Sequence, residues 1–141
     1  MPGHAYHTRK KKHDFEASKL IHNSSQGIVF PDWEVVTLFY SALHYVDCHL
    51  DRAQSIHPIG HGDRKDYVMN LLPVIERDYR LLRALSEDAR YHDVSVQQPE
   101  LTRATRCYDQ IRHRLTPVTC AGCGQENLIN KGKCEICEAP L

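Results

Sequence analysis

The chain has 141 residues, 41% of them apolar and 26% charged, which are the proportions of a compact globular domain and exclude a fibrous or disordered chain. Eighteen basic side chains balance eighteen acidic ones, so no global field draws the protein to nucleic acid or to an anionic membrane. No apolar run approaches the roughly 20 residues that span a bilayer, and no membrane partner is expected.

In chain order, residues 1–12 read as a basic N-terminal tail, built on the run Arg9, Lys10, Lys11 and Lys12. The start "MPGHAYHTRKKKHDF" has charges and no apolar core behind them, so a secretory leader is not expected and a cytoplasmic location is. A first amphipathic segment runs from about Asp14 to Ser24, with Phe15, Leu20 and Ile21 as its apolar side. Asp32 is a candidate N-cap for the second segment, "WEVVTLFYSALHYVDCHL". There Val35, Phe39, Ala42, Leu43, Val46 and Leu50 keep helical spacing, and Val36, Leu38 and Tyr40 broaden the stripe. Such breadth predicts the most buried helix.

The connection "HPIGHGDRK" follows. Pro58 fixes one dihedral, Gly60 and Gly62 permit positive φ, and Asp63 can cap what comes next. The third segment carries Val68, Leu71, Leu72, Ile75, Tyr79 and Leu82, with Pro73 inside it as an expected kink. The fourth opens at Pro99 and presents Leu101, Ala104, Tyr108, Ile111 and Leu115. This pattern predicts an all-α fold, a four-helix up-and-down bundle over residues 13–116.

Residues 117–141 are too few and too polar to bury a core. Instead Cys120 and Cys123 form one C-x-x-C and Cys134 and Cys137 a second. Two such knuckles supply the four thiolates of a tetrahedral zinc site, with Gly122 and Gly124 allowing unusual backbone angles. Four protein ligands leave no open position, so one structural Zn²⁺ in a small zinc ribbon is expected. With Lys131 and Lys133 against three Glu, the ribbon reads as a protein-docking element. Cys48 and Cys107 fall on helical segments and read as core or near-core thiols.

Several features of the bundle occur together: Trp33, the pair Phe39-Tyr40 followed by Ala42 and His44, the segment His57-Pro58…His61…Arg64, and Ala89-Arg90-Tyr91. Over roughly residues 13–115 this set resembles the HEPN domain family. The resemblance implies a helical bundle, often a homodimer or a subunit of a larger complex, that binds or cleaves RNA or nucleotides in prokaryotic defence or toxin-type systems. Active members cleave without a metal, leaving 2′,3′-cyclic phosphate ends, through an Arg followed after four to six residues by a His. Here the expected position is Arg90, five residues before Ser95, with His92 too near. Arg52…His57 and Arg106…His113 match the spacing elsewhere, which chance alone would supply.

Up-and-down topology would gather Arg9–His13, Arg52, His57, His61, Arg64, Arg112, His113 and Arg114 at one end of the bundle. That end reads as a phosphate-binding surface for RNA or a nucleotide. If the protein is an endoribonuclease, Arg52, His57, His61 and Arg64 are its candidate catalytic groups. The broken motif at Arg90 favours a non-catalytic binding or assembly module. Arg90 itself is expected to pair with Asp32 or Glu34, and Tyr91 to pack on Trp33.

Overall fold

A computed structural model describes residues 4–22, 30–92, 95–128, 132–134 and 136–140. These form five helical segments, α1 (His4–His22), α2 (Pro31–Gln54), α3 (His61–Leu71), α4 (Pro73–Tyr91) and α5 (Gln98–Leu115). Two short strands, β1 (Pro117–Thr119) and β2 (Glu126–Leu128), follow. The fold is a helical bundle with a small cysteine-bearing appendage. Among the described residues no helix is long and apolar enough to cross a membrane.

Central in the bundle is α2, which packs against α1, α4 and α5. Val35, Phe39, Ala42, Leu43, Val46 and Leu50 are all buried, as their spacing requires. Ile75, Tyr79 and Leu82 of α4 and Leu101, Ala104, Tyr108, Ile111 and Leu115 of α5 close the same core. Cys48 and Cys107 are buried with them.

Proline turns the expected third helix into two. Leu72 stands between α3 and α4 at φ −127° and ψ 50°, outside the helical region that the residue before a proline avoids. Its N–H still bonds the Val68 carbonyl at 3.0 Å and its own carbonyl accepts from Ile75 at 3.0 Å, so the break leaves these groups satisfied. Leu72 stays in the core, but Leu71, expected beside it, is exposed.

Where the helices begin also differs from expectation. The N-cap of α2 is Phe30 with Pro31 in the first turn. Asp32 lies inside the helix, and its Oδ1 accepts from the Val96 N–H at 2.9 Å. Gly60 is the N-cap of α3 with extended backbone, φ −157°, and Gly62 lies in the helix, so neither uses a positive φ. Asp63 reaches back from the first turn to accept from the Ile59 N–H at 3.1 Å. At α5 the cap is a reciprocal Gln97–Glu100 capping box.

The largest difference is α1. It starts at His4, so residues 4–12 are helix where a tail was expected; Asn23 and Ser24 lie outside the described residues. Leu20, expected on the apolar side, is 74% exposed. The helix instead buries His7, Asp14 and Ser18, with Lys11 half-buried between them. That is a 3.6-residue stripe written in polar side chains, with Phe15 beside it packed against the core, stacked 5.3 Å from the Tyr108 ring.

Candidate metal centre and basic groove

The ribbon consists of two copies of one turn. Cys120 N–H donates to the Gln125 carbonyl at 2.7 Å and Gly124 N–H to the Cys120 carbonyl at 2.9 Å. Fourteen residues on, Cys134 N–H donates to Ala139 at 2.8 Å and Glu138 N–H to Cys134 at 3.0 Å. The residue four past each leading cysteine takes a left-handed backbone: Gly124 at φ 74° and Glu138 at φ 58°. Gly122 does not take one.

β1 and β2 pair antiparallel, Val118 opposite Asn127, and complete the first turn. A bridge between Lys133 and Pro140 completes the second. The four Sγ atoms converge, Cys120 to Cys137 at 3.6 Å and Cys123 to Cys134 at 3.5 Å. All four lie within 4.8 Å of one another, close enough to hold one metal ion. Backbone N–H groups of Cys137 and Ile136 hold the Cys134 thiol down, to about 6, against burial that raises it, whereas Cys123, despite the Gln125 N–H that lowers it, is pushed up to about 12 by the Cys134 and Cys137 sulfurs. The donor set fits a soft, four-coordinate cation and leaves no position for substrate.

The basic residues expected at one end of the bundle separate into two groups. Lys11, Arg52 and Arg114 line one groove of about 730 Å³ between α2, α5 and the ribbon, with Tyr45 and His49 beside them. Lys11 Nζ stands 4.2 Å from the Tyr45 ring centroid, and burial then Arg52 lower the His49 pKa. Arg52 pairs with Glu126 of β2 across the groove. Arg9, Lys12, Arg112 and His113 are exposed on the flanking helices. Lys10 is tied to Asp14 at 2.8 Å, and Arg112 to Asp109 at 3.4 Å.

His57, His61 and Arg64 do not join that groove. His57 Nε2 is 3.4 Å from Asp51. His61 lies against Phe39, ring centroids 5.8 Å apart, and its pKa is lowered by burial and then by Arg64, Arg83 and Arg90. Arg64, expected on the surface, is 7% exposed and grips both oxygens of buried Asp47, Nη2 to Oδ2 at 2.9 Å. The four candidate catalytic groups thus have four different partners. Arg90 also departs from expectation. Its guanidinium donates to Tyr40 Oη at 2.9 Å and lies over the Tyr40 and Tyr91 rings, and Tyr91 and Trp33 are exposed.

Sequence reasoning missed one constellation entirely. Around Asp47 the buried side chains of His7 and His44 meet, Nδ1 to Nδ1 at 2.8 Å. Burial, and then His7, lower the His44 pKa to about 4. The signal was present as His44-x-x-Asp47 on the buried stripe of the second helix, but its partner His7 stood in a segment read as a tail.

Comparison with family models, curated proteins and solved structures finds no match to the chain.

Proposed function

We propose that the protein is a HEPN-like cytoplasmic module that binds RNA or nucleotide phosphates without cleaving them, in a prokaryotic defence or toxin-type system. Its C-terminal zinc ribbon docks a protein partner, a second copy or a subunit of a larger complex. The observation that carries the binding reading is the groove where Lys11, Arg52 and Arg114 converge beside Tyr45 in a chain of zero net charge. Cations contact phosphate oxygens, which is how nucleic acid is held without base-specific contacts.

Non-catalytic binding is favoured because Arg64 is neutralised by Asp47, Arg52 faces Glu126, and His57 and His61 have other neighbours. Zinc is favoured as the ribbon's metal because four thiolates at tetrahedral spacing match its preference. Exposed Ile136 on the ribbon, and exposed Trp33 and Tyr91 on the bundle, supply apolar contact for a partner.

Fluorescence anisotropy with a labelled single-stranded RNA tests the reading. Wild type should bind with a steep negative salt slope, because each neutralised phosphate releases counterions. The Lys11→Ala, Arg52→Ala, Arg114→Ala triple variant should lose most of that slope. Equal binding by wild type and triple variant, or cleavage of the RNA in excess EDTA, defeats it.

A further inference from the structure

The His7–His44–Asp47 constellation lies apart from both the cysteine cluster and the groove. His44 and Asp47 stand three residues apart on one face of α2, and antiparallel α1 brings His7 opposite them. His7 Nδ1 is 2.8 Å from His44 Nδ1 and 3.8 Å from Asp47 Oδ2. One ligand atom from each of the three residues falls within 4.8 Å of the others, and all three side chains are buried. Bound to one ion at about 2.1 Å each, two imidazole nitrogens stand about 3.0–3.4 Å apart, so the rings need separate by only tenths of an ångström.

The surroundings are those of a ligand set. Asp14 Oδ2 lies 4.0 Å from the far nitrogen of His44 and, though buried, has no hydrogen-bond partner among the described residues. A carboxylate behind the second nitrogen of a histidine is the arrangement that orients ligating imidazoles. Arg64 fixes the Asp47 carboxylate from the other side and leaves Oδ2 a lone pair toward His7. The guanidinium opposes a cation by charge, and since Asp47 already pairs with Arg64 and Asp14 with Lys10, a divalent ion here shares each carboxylate with a neighbouring cation. Tyr6, 43% exposed, meets both rings edge-on, 5.3 Å from His7 and 5.9 Å from His44, and separates them from solvent.

We propose that His7, His44 and Asp47 form a second metal site, taking a borderline divalent transition ion such as Co²⁺ or Zn²⁺ between α1 and α2. Two imidazoles and one carboxylate suit such ions better than calcium or magnesium, and three protein ligands leave a position for water.

The experiment is a Co²⁺ titration of the full chain carrying Cys120→Ser, Cys123→Ser, Cys134→Ser and Cys137→Ser, which removes the thiolate site. This variant should bind one Co²⁺ per chain, with d–d absorption and no sulfur-to-metal charge-transfer band. Adding His44→Ala should abolish that binding, and Asp14→Asn should weaken it at least tenfold. Should His44→Ala lose its helical circular dichroism, His7→Gln in the same background decides, with the same loss of Co²⁺ expected. A variant without the four ribbon cysteines that binds no Co²⁺, or binds it equally with and without His7, overturns the proposal.

Discussion

The bundle and the ribbon are joined through Thr116 and stabilised by opposite means. The bundle buries one apolar cluster that runs from Val35 on α2 to Leu115 on α5. The ribbon buries Cys120, Cys134 and Asn127 among its described residues and exposes Ile136. One is a core that excludes water; the other is a loop pair whose two turns close on four sulfurs. The difference teaches that the two parts answer to different reagents, and each can be broken while the other stands.

Metal removal is the largest such break. Structural zinc contributes on the order of 10 kcal/mol in small sites of this kind, and among the described residues of the ribbon the buried apolar side chains are Cys120 and Cys134 themselves. Cys120→Ser or Cys134→Ser should therefore eliminate the bound metal and render the ribbon protease-sensitive. Helical circular dichroism should stay near wild type, since no ligand comes from the bundle. Loss of the helical signal on chelation would show that the bundle depends on the ribbon and end the comparison.

Arg64→Ala should come next, within the bundle. The guanidinium is buried on the Asp47 carboxylate, and its removal strands a negative charge among His7, His44 and Asp14. Breaking a buried pair from one side costs about 3–5 kcal/mol, against at most about 0.5 kcal/mol for an exposed substitution such as Arg114→Ala. Urea denaturation of both variants measures the contrast. Equal stabilities would mean that Arg64 is accessible to ligand after all.

How far the sequence foretold this molecule follows from which side chains carried the pattern. α2 and α5 were legible because their buried stripes are apolar, and the cysteine turns because C-x-x-C has one economical explanation. α1 was not, because its buried face is His7, Asp14 and Ser18, residues that composition assigns to solvent. The same blindness hid the Arg64–Asp47 pair. A charge read alone looks exposed, and only the partner 17 residues earlier, on α2, shows otherwise. The groove was half legible: Arg52 and Arg114 were placed at the right end, and Lys11 reached it as part of a helix, not a tail.

A smaller effect tests the internal repeat of the ribbon. Glu138 occupies in the second turn the left-handed position that Gly124 fills in the first. A side chain there costs about 1–2 kcal/mol relative to glycine. Glu138→Gly should relieve about 1 kcal/mol and slow metal loss to a competing chelator several-fold, with no change in the thermal unfolding of the bundle. Unchanged chelator kinetics would mean that the Glu138 side chain offsets its own strain.

The smallest expected effect separates the two regions by pH. His61 lies against Phe39, its Nδ1 buried without a hydrogen-bond partner among the described residues. Burial, followed by the charges of Arg64, Arg83 and Arg90, lowers its pKa. A histidine with a lowered folded pKa favours the neutral ring in the native state. Its contribution is complete above the ordinary histidine range near 6.5 and falls away as pH drops through that range. Residues 117–141 contain no histidine, so acid acts on the ribbon only through its carboxylates and by protonating thiolates and releasing the metal. Urea unfolding of the bundle between pH 7 and 5 should show a modest loss of stability in wild type that His61→Gln reduces, while ribbon metal content follows its own curve in both proteins. An identical slope in the two would place the acid sensitivity of the bundle elsewhere among its histidines and leave His61 a packing residue.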